Sequence, residues 1–304
     1  MPRLEYDAAR KGSTAPGAHL PAEHPVVVPA DGDDPLELDC PLTERWLTAF
    51  LEEEIVKRRG FEKGVVGLSG GVDSSLTAAL AASALGPDNV VGVRMPYSSS
   101  SPDSLIHAEQ IAAQLGIRME TIDISQAVDG YFNASDPEAD ATRRGNVMAR
   151  IRMATLFDLS AKYDAIPLGT GNKTERLLGY FTWHADDSPP VNPLGDLFKT
   201  QVWELARHMG IAEEILAKPP TADLIQGQTD EADLGIGYDR ADRILHWLLK
   251  GLRPEQLLGL GFGAKELEIV TTRLQGTHWK RRLPTVAMLS GTAIGESYLR
   301  PVDY

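Results

Sequence analysis

"GVVGLSGGVDSSLTAALAASALG", residues 64–86, decides the fold. "GVVGLS" has the length and composition of a short buried strand, and "SSLTAALAASALG" is an apolar helix closed by Gly86 and Pro87. Between them lies a glycine–serine turn with no polar linker. A strand that runs through glycines straight into a helix is the opening of a βαβ unit. The rhythm then repeats: strand "NVVGVRM" (89–95), helix "DSLIHAEQIAAQLG" (103–116), strand "IRMETIDI" (117–124), helix "GNVMARIRMATLFDLSAKY" (145–163) and strand "AIPLGTG" (165–171). This alternation predicts an α/β fold with a doubly wound, mostly parallel sheet flanked by helices.

Working outward, the chain past residue 196 reads as a helical C-terminal portion, through "KTQVWELARHMG" (199–210), "YDRADRILHWLLKG" (238–251) and "AKELEIVTTRLQG" (264–276). Upstream, "LTERWLTAFLEEEIVKRRG" (42–60) puts Leu42, Trp46, Leu47, Phe50, Leu51 and Ile55 on one helical face, with Thr43 as cap and Gly60 as stop. Residues 1–37 are rich in Pro, Gly, Ala and Asp without sustained period and read as a flexible N-terminal extension. Residues 38–304 read as a single domain.

The 304 residues carry 42% hydrophobic and 24% charged side chains, the balance of a soluble globular protein, and a net charge of −13. That charge argues against a nucleic-acid partner held through phosphates; "HWKRRLP" (278–284) is the one basic candidate. No apolar run approaches the roughly 20 residues that span a bilayer, and the N-terminus has no signal-peptide core. The single cysteine, Cys40, precludes an internal disulfide and a multi-thiolate zinc site. A cytoplasmic protein is expected.

In a doubly wound sheet, ligands bind at the carboxyl ends of the strands, where "SGGVDSS" (69–75) lies. Glycines let the backbone approach a ligand, and free amides at a helix start favour an anion such as pyrophosphate. Yet Asp73 stands where a phosphate loop carries a lysine. Beside phosphate, a carboxylate is repulsive unless a divalent cation lies between, and magnesium is held in that way. The alternative is a capped turn, with Asp73 and Ser74 as helix caps. The G-x-G-x-x-G spacing of a dinucleotide fingerprint is absent.

"SGGVDSS" resembles the pyrophosphate loop of the ATP pyrophosphatases, which cleave ATP to AMP and pyrophosphate while adenylating a substrate. "LGTGNKTERLLGYFT" (168–182), "NPLGDLFKTQVWELARHMGI" (192–211), "KPPTADLIQGQTDEADLGIGYDRAD" (218–242) and "KRRLP" (280–284) narrow the likeness. In content and order they are similar to ammonia-dependent NAD synthetases, over roughly residues 38–284. "GVRMPYSSSS" (92–101) and "GNVMARIRM" (145–153) agree. The resemblance implies two steps: the carboxylate of deamido-NAD attacks the α-phosphate of ATP, and ammonia then attacks the acyl adenylate to give NAD and AMP. No protein nucleophile is required; positioning and charge neutralisation would carry catalysis.

Roles follow from the resemblance, position by position. ATP contacts are implied for Gly67, Leu68, Ser69, Gly70, Gly71, Val72, Asp73 and Ser74, and for Arg94, Thr170, Lys199 and Thr221. Asp73 and Glu175 match magnesium ligands, though Glu175 could equally be an exposed first-turn carboxylate. Lys199 and Arg94 have bland readings as a solvated lysine and a rim arginine. Arg150, Trp183, Trp279 and Lys280 are implied at the deamido-NAD site. "IQGQTDEADLG" (225–235) resembles a lid over ATP, or is a long surface loop. A homodimer is implied too.

The chain departs from the family pattern in its pyridine-nucleotide half. "FTWHADD" (181–187) stands where members read "FTKYGDG", so Trp183 replaces a lysine; Asp186 keeps an acid, and Pro190 falls at a later aspartate. Trp183 and Trp279 either stack on an aromatic ring or are interface or core tryptophans. No glutaminase fits in the short N-terminal stretch, so free ammonia or a separate ammonia-supplying protein is expected. Two alternatives stay open: another acceptor such as nicotinate mononucleotide, and a non-catalytic adenine-nucleotide-binding module.

Overall fold

The computed structural model describes residues 34–221, 229–282, 285–287 and 289. β1 (Lys63–Gly67) is buried through its centre and leads into helix α2 (Val72–Leu85). β2 (Val90–Arg94), α3 (Pro102–Leu115) and β3 (Arg118–Thr121) follow, then α4 (Ser125–Ser135), α5 (Ala141–Tyr163) and β4 (Ala165–Leu168). The strands form one sheet in the order β3-β2-β1-β4, parallel throughout. The expected doubly wound architecture is therefore present. Pro167, opposite Val65 in the ladder, is tolerated because among the described residues β4 is an edge strand, extended only by the isolated bridge Leu168–Val191.

Alternation along β1 divides the core. Val65 packs with Val91 and Val93 against Phe132 of α4 and Met148 and Leu159 of α5. Val66 faces the other way, with Leu76 and Leu80 of α2 and Ile111 of α3. Helix α2 is buried from Ser74 through Ala81, which explains its apolar character all round.

Past the sheet come α6 (Lys173–Leu178), α7 (Lys199–His208), α8 (Glu213–Leu216), α9 (Asp230–Leu234), α10 (Tyr238–Leu249), α11 (Pro254–Gly259) and α12 (Ala264–Gly276). Leu178, Tyr238, Leu245, Leu257 and Val270 build a further core there, which Leu36 joins. The residues expected in the extension thus include a packed stretch: Leu36 is buried, and Asp34 accepts two bonds from Arg243 at 2.9 and 2.8 Å.

The first helix, α1 (Cys40–Glu52), corrects one expectation. Asp39, not Thr43, caps it, accepting from the Leu42 amide at 3.0 Å, and a π-helical turn over Glu53–Lys57 precedes Gly60. Its buried line runs through Cys40, Leu51 and, in the π turn, Ile55. Leu42 and Trp46 lie roughly 120–180° around from the residues of that line at 100° per residue. They are 52% and 73% exposed, so the expected apolar face was too wide.

Candidate active site

Sheet order reverses at β1: β2 and β3 lie to one side and β4 to the other. The loops leaving β1 and β4 therefore diverge and open a crevice at the carboxyl edge. A cavity of about 280 Å³ occupies it. Of the residues expected to contact ATP, Gly67, Leu68, Ser69, Gly71, Val72, Asp73, Ser74, Arg94, Thr170, Lys199 and Thr221 line it and Gly70 does not; Glu175, expected as a magnesium ligand, lines it too.

The loop after β1 is held by its own hydroxyls. The Ser69 amide donates to Ser74 Oγ at 3.2 Å, and the hydroxyls of Ser74 and Ser75 donate to the Gly71 carbonyl at 3.0 and 2.9 Å. Gly70 turns the chain at φ +71°, and a Cβ there would stand 2.2 Å from the Ser104 carbonyl oxygen, so only glycine fits. Gly71 is the N-cap of α2 and supplies no side chain, so the capped-turn reading of Asp73 and Ser74 is not what the structure adopts.

Asp73 is instead turned across the crevice. Its Oδ1 accepts from Asn172 Nδ2 at 2.9 Å, and its Oδ2 pairs with the Lys199 ammonium. Glu175 reaches the same ammonium at 3.9 Å. Asn172 and Glu175 form a capping box at the start of α6: Asn172 Oδ1 accepts from the Glu175 amide at 2.9 Å and Glu175 Oε2 from the Asn172 amide at 3.2 Å. Glu175 is thus drawn inward, not left exposed. Burial, then the neighbouring Asp73, pushes its carboxyl up to about 8, with Lys199 opposing. Lys199 is 2% exposed. Burial pulls its pKa down, but Asp73 and Glu175 outweigh this and hold it above the usual lysine value.

Two participants escaped the sequence reading. Asn172 is fully buried, and the N-cap–x–x–Glu spacing of "NKTE" could have revealed its place. Asp230, at the start of α9, lines the cavity and accepts from Tyr238 Oη at 3.0 Å and Tyr180 Oη at 3.2 Å. Burial raises its pKa. Of the stretch expected as a lid, residues 225–228 lie outside the described residues; the remainder enters α9.

Arg94 is fixed at the end of β2, its Nε donating to Thr121 Oγ1 and its Nη1 to the Leu105 carbonyl, each at 3.1 Å. The four residues expected at the pyridine nucleotide form a cluster of their own, outside the lining of that cavity. Arg150 Nη2 donates to the Trp183 carbonyl at 3.2 Å, and the Trp183 and Trp279 rings meet edge to face, centroids 5.1 Å apart. Lys280 Nζ donates to the carbonyls of Gly179, at 2.6 Å, and Phe181. Phe181, Asp186 and Asp187 connect this cluster to the cavity, and Asp187 Oδ1 is buried without a hydrogen-bond partner. The basic stretch around Lys280 also faces inward: Arg281 donates to the carbonyls of Leu177, at 2.8 Å, and Leu274, at 3.0 Å. Those bonds serve the last turns of α6 and α12.

Fold and site define a doubly wound α/β protein with a phosphate-type loop and paired carboxylates at its switch point. The model of the family described as NAD synthase matches residues 44–284, and the chain belongs to that family. It is 44% identical over 270 residues to the NH(3)-dependent NAD(+) synthetase of Trichlorobacter lovleyi, covering 88% of this chain and 98% of the relative. Among solved structures, the NMN synthetase of Francisella tularensis aligns with a TM-score of 0.74 at 29% identity, over 83% of this chain and 99% of its own. The NH3-dependent NAD synthetase of Campylobacter jejuni aligns at 0.71 and 28%, over 83% and 100%. No helix among the described residues is long and apolar enough to cross a membrane.

Proposed function

We propose that the protein amidates deamido-NAD with ammonia at the expense of ATP, releasing NAD, AMP and pyrophosphate. One observation carries this reading: the Ser69–Ser74 loop, Asp73, Glu175 and Lys199 converge on one cavity in a member of the NAD synthase family. A carboxylate is a poor electrophile. Its oxygen bonds to the α-phosphorus, the α–β phosphoanhydride breaks, and pyrophosphate leaves; ammonia then bonds to the acyl carbon and AMP departs with that oxygen. The α2 amides and the Ser69 and Ser74 hydroxyls bind the departing pyrophosphate. Arg94, Thr170 and Thr221 position the rest of the nucleotide. Arg150, Trp183, Trp279 and Lys280 border the acceptor.

Magnesium fits this donor set. The carboxylates of Asp73 and Glu175 are hard oxygen donors that converge on one point, held in this structure by the Lys199 ammonium. Asp73 and Glu175 would hold the ion, with phosphate oxygens and water supplying the other ligands. When bound, it supplies charge neutralisation on the phosphates. We further read residues 38–304, together with the packed stretch from Asp34 that precedes them, as one domain acting as a homodimer in the cytoplasm, taking free ammonia or ammonia from a separate protein.

A second reading, amidation of nicotinate mononucleotide, is favoured by the likeness to the Francisella NMN synthetase and by Trp183 and Pro190 in the acceptor half. Purified protein given Mg-ATP, ammonium and either acceptor separates the two. Deamido-NAD should yield NAD and AMP in equal amounts, and Asp73→Ala should lower both by at least about 100-fold, the scale of losing a preorganised charge contact. Product from the mononucleotide alone would establish the second reading; no AMP with either would overturn both.

A further inference from the structure

Lys199 reaches Asp73 and Glu175 because of where α7 begins. The first amides of a helix need acceptors from outside it, and Phe198, the N-cap, offers no side-chain acceptor. Gln201 Oε1 accepts from the Phe198 amide at 3.0 Å. The next two amides are served by other elements. Thr174 Oγ1 accepts from the Lys199 amide at 2.9 Å, and Asp242 Oδ2 accepts from both the amide and the hydroxyl of Thr200, each at 2.9 Å. Thr174 in turn donates its hydroxyl to Asp242 Oδ1 at 2.5 Å. Thr174 and Asp242 are both fully buried, and neither lines the cavity.

This network could be a plain core staple. Apolar side chains, however, would hold α6, α7 and α10 together without the cost of burying a carboxylate. What hydrogen bonds add is direction. Thr174 immediately precedes Glu175, so one hydroxyl ties the backbone of the carboxylate to the backbone of the lysine that faces it. We propose that Thr174 and Asp242 are positioning residues. They fix the start of α7 against α6 and so set Lys199 against Asp73 and Glu175. The inference rests on the proposed function and on the ATP contact that the family resemblance implies for Lys199.

A double-mutant cycle tests it, reading calorimetric affinity for α,β-methylene ATP with magnesium. Thr174→Val keeps the shape and removes the hydroxyl. Acting through Lys199, it should weaken binding about tenfold or more in the native chain but less than about twofold in a Lys199→Met background. Thr174→Ser, which restores the hydroxyl, should bind within about threefold of the native chain. Equal losses in both backgrounds, or no loss from Thr174→Val, would overturn the proposal. Circular dichroism checks the fold, and if Thr174→Val does not fold, Thr200→Val carries the same cycle with the same criteria. A native chain that binds the analogue but forms no AMP from ATP, ammonium and either acceptor would sink the enzyme reading while the cycle still decides the positioning role.

Discussion

The Lys199 ammonium occupies the position of a cation between two carboxylates, and its environment explains why it stays charged. Even with Lys199 between them, burial and the neighbouring Asp73 raise the Glu175 carboxyl to about 8. Lysine does, before nucleotide arrives, what a divalent ion would do with nucleotide present. Removing it should empty that position for a metal. Two charges about 4 Å apart interact by about 4 kcal/mol at an effective dielectric constant near 20, so Lys199→Met should bind Mn2+ without nucleotide at least about tenfold more tightly. Paramagnetic resonance of free Mn2+ reads this directly, and unchanged or weaker binding would contradict the arrangement. Asp73 was legible in the sequence because the glycines, the strand before them and the helix after them are all local. Its pairing with Lys199 was not, since the two lie 126 positions apart and meet only because α7 packs beside α2, which starts at the Asp73 loop.

Among the elements, α6, α7 and α10 meet at Asp242. Burial raises its carboxyl to about 6, against hydrogen bonds from Thr174 and Thr200 that hold it down. The folded state therefore binds this proton more tightly than the unfolded chain does. Its contribution favours folding at low pH and is lost as pH rises from about 4 to about 6. Asp242→Asn removes that titration. Native protein should lose stability relative to the variant across this interval, and the two should run parallel above it, in urea unfolding midpoints taken at stepped pH. Parallel curves throughout would contradict a buried, titrating Asp242. This residue was missed although it left a mark: it sits on the apolar stripe of α10 with Tyr238, Ala241 and Leu245, where an acid is out of place. Helices α2, α3 and α5 were readable between the strands, whereas α4 (Ser125–Ser135) went unread. Helix α6 has only six residues, too few for a period, and was visible only through its cap.

For the whole molecule, the charge distribution matters more than its sum. The chain carries −13, yet the cavity sets Arg94, Arg152, Arg176, Lys199 and Lys218 against Asp73, Glu175, Asp186, Asp187 and Asp230. An acidic surface thus surrounds a balanced site, and a polyanionic nucleotide gains its attraction only once inside. The fold class was legible because alternating strands and helices leave few topologies. The edge-to-face packing of Trp183 on Trp279 and the bonds from Lys280 to the Gly179 and Phe181 carbonyls were not, because no local pattern announces them. Adenylation of a carboxylate in this cavity can be followed through that carboxylate's own oxygens. Deamido-NAD with both carboxylate oxygens replaced by oxygen-18 is turned over with Mg-ATP and ammonium, and the products are weighed by mass spectrometry. The account predicts one labelled oxygen in AMP and the other in the amide of NAD; label in pyrophosphate, or AMP without label, would contradict it.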